Sequence, residues 1–274
     1  MISVSGMPTL TALKLVDATE AKQHELIRNQ PQHARAISHF YENIESVESV
    51  DDLMADPELF GFVMRAFDLE DQIFGKAMME KILKSNIEEE DALVNRMADT
   101  RFRALYEEMG FGTDGVGNIN TILTRWQDRM VERYVDRHFL NANMEENATL
   151  GTALDFRRKV ADIEGPLDIL KDSKMSKFFR TVYGMPSQMA GLDIDKQIEI
   201  INRKVDFEAL KDPEEVEKLV TRFIALSDAL SGVATANSGA LQMLTASATG
   251  NFNYAVLDIE SVVSSGFSGY KTRL

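Results

Sequence analysis

The residues of this chain that resemble chemical motifs are few, and each set fails on its spacing. "GFGTDG", Gly110 to Gly115, fits the G-x-G-x-x-G pattern of a dinucleotide-binding loop. That loop works only after a strand and before a helix, so that a pyrophosphate meets the helix N-terminus. Here the preceding stretch is "RFRALYEEM", which has helical period, so Gly110 or Gly112 is expected to end a helix in the left-handed conformation. The four histidines, His24, His33, His39 and His138, show no H-E-x-x-H or other metal-ligand spacing. Glu20 and His24 lie one helical turn apart, an arrangement usual on solvated surfaces. The acidic run "NIEEED" lacks the alternating oxygens, central glycine and closing glutamate of a calcium loop, and "DID", Asp193 to Asp195, lacks the same closing glutamate. There is no G-x-S-x-G, no phosphate-binding P-loop and no nucleophile with a base spaced to serve it. The sequence therefore nominates no catalytic residue, no cofactor-binding residue and no metal ligand, and the expectation is a protein without catalysis or cofactors.

Composition narrows the remaining classes. The chain has 274 residues, no cysteine, a formal charge of −14 and a pI near 4.8. Without cysteine there are no disulfides, thiolate zinc sites, iron–sulfur ligands or cysteine nucleophiles. A net acidic chain repels phosphate backbones, and the 30 Lys and Arg are interspersed with acids, so a nucleic-acid partner is not expected. Anionic membrane surfaces are disfavoured for the same reason. No apolar run approaches 18 residues, so no membrane insertion is expected, and the start "MISVSGMPTLTALKLV" lacks the charged and apolar blocks of a cleaved signal. A cytoplasmic location is the expectation.

The elements that would position any site are helical. Thr11 to Ile44 has helical period and contains Pro31, which is expected to break it. In "DPELFGFVMRAF", Asp56 reads as an N-cap and Pro57 as the first helical residue. Leu59, Phe62, Val63, Ala66 and Phe67 then form one apolar face. "IFGKAMMEKILKSN" and "EEDALVNRMADTRFRALYEEMGF" read as further helices. "NINTILTRWQDRMVERYVDRHF" is predicted to carry Ile119, Ile122, Leu123, Trp126, Met130 and Tyr134 on one helical stripe. "TLGTALDFRRKVADI", "GLDIDKQIEIINRKVDF" and "DPEEVEKLVTRFIALSDAL" complete an all-α chain, the last with Asp212 and Pro213 as cap and first-turn proline. Ala229 to Leu257 carries no charged residue, and Ala, Ser, Thr, Gly and Asn dominate it. It is expected to be a buried helix with a flexible end, or a tail ordered by a partner, and "YAVLDIESVV" is ambiguous with strand.

One helical phrase is written twice. "DLMADPELFGFVMRAFDL" from Asp52 aligns with "DILKDSKMSKFFRTVYGM" from Asp168. Asp56 matches Asp172, Phe62 matches Phe178, Phe67 matches Tyr183 and Leu69 matches Met185; Ile82 and Ile87 match Ile200 and Val205. "TRFRAL" with Arg101 and Phe102 matches "TRFIAL" with Arg222 and Phe223, and the offset grows from 116 to 118 to 121 residues, as insertions would make it. The pattern predicts an internally duplicated multi-helix bundle with two pseudo-symmetric helical modules. The segments are residues 1–46 (N-terminal helices), 47–111 (first repeat), 112–160 (connecting helices), 161–228 (second repeat) and 229–274 (small-residue-rich end). The repeated aspartates are expected to cap helices, and Arg101 and Arg222 each to pair with an acid of its own repeat. Glu58, Phe60 and Gly61 become Lys174, Ser176 and Lys177, read as diverged exposed faces, so the two copies are expected to do different jobs.

The run "VESVDDLMADPELFGFVMRAFDLED" with "ALVNRMADTRFRAL", and later "DFRRKVADI", "FFRTVYGMP" and "LDIDKQIE", resembles the bacterial family catalogued as domain of unknown function 1217 over roughly residues 8–228. Genes of that family lie in flagellar gene clusters of alphaproteobacteria, often near basal-body and motor genes. The resemblance thus implies a role in flagellar assembly, export or motor function, with a flagellar protein as partner and the basal body as a place of association. It supplies no catalytic residues to carry over. Two other readings stay open. The chain is itself an export substrate, with Met1 to Leu10 as its signal, or it binds a small molecule between the repeats, for which the sequence nominates no residue.

Overall fold

Pro31 divides the first helical stretch as its missing N–H dictates. α1 spans Thr9–Asn29 and α2 Pro31–Asn43, with the proline at the first position of α2, where no donor is needed. The structure, a computed structural model, describes residues 1–231. It is all-α, with no β-strand among the described residues. The expectations for the tail from residue 232 onward, including "YAVLDIESVV", lie outside those residues.

The phrase from Ser49 folds as a short helix, α3 (Val50–Ala55), followed after one residue by α4 (Pro57–Ala66). Asp52 accepts from the backbone N–H groups of Glu48 and Ser49, and Asp56 accepts from those of Glu58 and Leu59. α4 buries Leu59, Phe62, Val63 and Ala66 as its period requires. It also buries Phe60 and Gly61, which the sequence reading placed on an exposed face. Here helix–helix contact on two sides overrides the single-stripe pattern.

The next elements are shorter than periodicity suggests. α5 covers only Lys76–Leu83, and α6 (Leu93–Arg96) stops before an extended Met97, so that Asp99 can cap a separate α7 (Thr100–Met109). Gly110 ends α7 with φ of 67°, as its type and place predict.

The predicted stripe from Ile119 is corrected. α8 begins at Thr124 and runs to Glu146. Asn120 N–H donates to the Asn118 side chain, whose amide donates to Met109 O, and this local turn competes successfully with helix. Trp126, Met130 and Tyr134 are buried as expected, whereas Ile119, Ile122 and Leu123 are not. α9 (Ala148–Lys159) folds back along α8 after the Asn147 cap.

The second phrase gives α10 (Pro166–Lys171) and α11 (Ser173–Val182), of 6 and 10 residues, the lengths of α3 and α4. Asp168 accepts from the N–H groups of Glu164 and Gly165, and Asp172 from those of Lys174 and Met175, as Asp52 and Asp56 do in their phrase. Each long helix ends in a left-handed residue, Asp68 at φ 59° and Gly184 at φ 60°. α12 (Ile194–Lys204) and α13 (Pro213–Leu230) follow, the latter capped by Asp212. "TRFRAL" opens α7, whereas "TRFIAL" lies in the middle of α13, so the likeness of setting is confined to the first part of each phrase.

α8 packs on α1, α4 and α9, while α13 packs on α1, α9 and α11. One continuous hydrophobic cluster runs from Val4 to Ile224. Phe62 stacks between Tyr134 and Phe40 at ring distances of 4.2 and 4.4 Å, and Phe178 lies against Phe156 and Phe223 at 3.8 and 4.5 Å. Phe102 is buried too, and Tyr183 is half-buried in parallel stacking with Phe179.

Candidate functional site

Between the two helix pairs lies a groove of about 890 Å³. The end of α4 supplies Phe67 and Asp68, the start of α7 Asp99 and Arg101, the middle of α8 Arg133 to Arg137, and the α10–α11 junction Asp172 and Lys174. Several of its acids already hold bases. Arg101 takes Asp99 side-on, with 2.7 Å from Nη2 to the carboxylate, and also reaches the Asp68 carbonyl. The Asp68 carboxylate is 3.6 Å from both Arg101 and Lys174, so a residue of one phrase is held by bases of both. Lys159 bridges Asp155 and Asp172 at 2.8 and 2.7 Å. Burial works against the charge on Asp172, but the Lys159 ammonium and the helix N–H groups outweigh it and hold the carboxyl below its ordinary value. Burial likewise opposes charge on Asp99, and its Arg101 bonds prevail.

Arg101 thus pairs within its own repeat as expected. Arg222 does not: it lies exposed on α13 and forms no ion pair among the described residues. Arg133 also has no carboxylate partner among the described residues. Its guanidinium lies over the Phe67 ring, 4.4 Å from the centroid. What the geometry shows is charge pairing across the groove, with Asp68 between Arg101 and Lys174.

His24 lines the same groove. The sequence reading placed Glu20 and His24 on a solvated surface, yet the His24 side chain is only 16% exposed and packs edge-on against Phe139. Asp136 of α8 joins them, with donor atoms of all three within 4.8 Å of one another. That constellation offers one imidazole nitrogen and two carboxylates to a metal. Arg158 bridges Glu20 and Asp136, however, and already supplies the compensating charge. The sequence could not bring in Asp136, which is distant along the chain.

The other histidines are structural. His39 bonds Asp56 at 2.7 Å. His33 Nδ1 bonds the Tyr134 hydroxyl at 2.9 Å, and its ring lies 4.3 Å from that of His138. Burial, helped by His33 and Arg65 and opposed by Glu70, pushes His138 down to about 4, and burial lowers His33 as well. In the unfolded chain both titrate near 6.5. The unfolded state therefore binds more protons between pH 6.5 and about 4, and stability falls as pH drops through that window. The expected loss for His138 is up to about 3 kcal/mol by pH 4. Urea melts at pH 7 and 4.5 check it, and a His138→Phe variant with an undiminished pH dependence would refute it.

A second feature is the segment before α8. Val116, Ile119, Ile122 and Leu123 are 59%, 75%, 58% and 50% exposed. The segment is pinned: Gly117 N–H donates to Glu48 O at 2.9 Å, Thr121 Oγ1 to Val47 O at 3.1 Å, and the buried Gln127 amide to Thr121 O at 2.8 Å. Four apolar side chains are therefore held in water by an ordered backbone.

Comparison with known proteins adds two findings. The family described as protein of unknown function, DUF1217, matches residues 66–216. A crystal structure of a protein from Agrobacterium tumefaciens, a structural-genomics target, is similar at 29% identity, with a TM-score of 0.72 over 83% of this chain and 96% of that one. No curated protein matches.

Proposed function

Since this chain belongs to the DUF1217 family, we propose that it is a flagellum-associated binding protein without catalytic activity, an assembly factor or accessory structural subunit that works by docking another flagellar protein. The observation that carries the docking part is the pinned segment with Val116, Ile119, Ile122 and Leu123 outward. Exposing apolar surface costs roughly 25 cal/mol per Å². Several large apolar side chains held outward by one fixed segment suit a protein contact. The flagellar part rests on the resemblance and the gene neighbourhood it implies.

The internal duplication belongs to the same proposal. Equal helix lengths, the paired aspartate caps and the two left-handed exit residues support two modules of common origin, joined by α8 and α9. The second module has diverged in its last helix.

The test is an affinity pull-down of a chromosomally tagged copy from motile cells, beside the same strain carrying Ile122→Glu and Leu123→Glu. The expected result is enrichment of a basal-body, hook, export or motor component with the native chain, lost in the variant at unchanged Tm. A native chain that retrieves nothing flagellar, or a variant that retrieves the same proteins, would overturn the reading. Finding the protein in culture supernatant in an export-dependent way would favour the export-substrate alternative.

A further inference from the structure

The second helix pair lines a cavity. About 500 Å³ in volume, it is walled by Ile169, Phe179, Met185, Met189, Leu192 and Ile201. The fourth and eighth residues of α4 are Phe60 and Met64, both fully buried. The fourth and eighth residues of α11 are Ser176 and Arg180, and both line the cavity. A hydroxymethyl group thus stands in α11 where α4 has a ring. Replacing a thioether by a guanidinium places a charge at an apolar wall.

Two polar side chains of the wall are committed. Ser176 Oγ donates to Ile169 O at 2.9 Å, and the Gln197 amide donates to Leu192 O at 2.8 Å. Arg180 forms no ion pair among the described residues and keeps its donors. Leu192 and Ile194, both exposed, leave the cavity open to water on one side. A partly open, mainly apolar cavity of this size with one uncommitted cation has the make-up of a ligand site, in which shape gives affinity and a single charge fixes orientation.

We propose that this cavity binds an amphipathic acid, with a medium-length apolar chain between Phe179 and the two methionines and a carboxylate head on Arg180. Methionine suits such a site because its unbranched side chain reshapes around flexible chains. The proposal goes beyond the docking role and does not depend on it, since the pinned segment before α8 forms no part of the cavity.

The experiment is isothermal titration of the full chain with sodium decanoate, and with decyltrimethylammonium as the cation of matched chain length. Saturable binding of decanoate is expected, with the cation binding about tenfold or more weaker. Arg180→Glu is expected to weaken decanoate by a similar factor, and Ser176→Phe to abolish binding while raising Tm, because a ring at this lining position takes up the cavity's volume. Absence of decanoate binding, equal binding of both chains, or unchanged affinity in Arg180→Glu would each overturn the proposal. If Ser176→Phe fails to fold, the Arg180→Glu result decides alone.

Discussion

Replacing Phe178 by alanine is expected to lower the stability of the folded chain by about 3–5 kcal/mol, the usual cost of emptying a buried aromatic site. The ring is fully buried and sits at the centre of an aromatic group, stacked on Phe156 and in contact with Phe179 and Phe223. Its neighbours come from α9, α11 and α13, so no single helix can relax to fill the gap. Phe62→Ala, in the stack with Phe40 and Tyr134, is expected to behave alike. Since single domains are held by only about 5–15 kcal/mol, either change removes a large share of the total. Urea denaturation at pH 7 measures it as a lower midpoint at unchanged slope. A loss below about 1 kcal/mol for Phe178→Ala would mean that the stack does not hold the second half together.

Asp155→Ala is the other large effect expected. The Asp155 side chain is 1% exposed and takes Arg137 at 3.1 Å and Lys159 at 2.8 Å. Lys159 keeps Asp172 in the variant, but Arg137, 18% exposed, forms no other ion pair among the described residues. A charge stranded below the surface costs about 3–5 kcal/mol, far more than the intact pair contributes. The distinguishing measurement is a double-mutant cycle with Arg137→Met. The pair replaced together is expected to recover most of the loss, because an apolar side chain tolerates that site. If the double variant is as unstable as Asp155→Ala alone, the penalty comes from a cavity and the stranded-charge account is wrong.

How far the sequence could be read depended on whether the deciding contacts were local. Asp56 with Pro57, Asp212 with Pro213, Pro31 and Gly110 all act within one turn of themselves, and each was legible. Ile119, Ile122 and Leu123 kept helical spacing yet were overruled by Asn118 and Asn120, whose short side chains bond the backbone and stop the helix before it starts. Phe60 was misplaced because α4 is covered on two sides, which periodicity alone does not reveal. The groove was not legible at all. Asp136 meets His24, and Asp68 meets Lys174, only through tertiary packing. The substitutions at Ser176 and Arg180 were visible in part, since the repeat exposed Phe60 against Ser176, but that they line a cavity depends on what surrounds them.

The chain also closes on itself. Thr9, the first residue of α1, donates its hydroxyl to Asp228 near the end of α13, 219 residues later. Besides α2, α1 packs on α8, α9 and α13. Its buried residues Ala12, Leu13, Val16 and Ile27 therefore leave the ribosome well before α13, which completes their cover. At about 5–20 residues per second, that face waits roughly 10–40 s for α13 to emerge. Translation stalled before Pro213 is therefore expected to leave that face of α1 without its α13 cover.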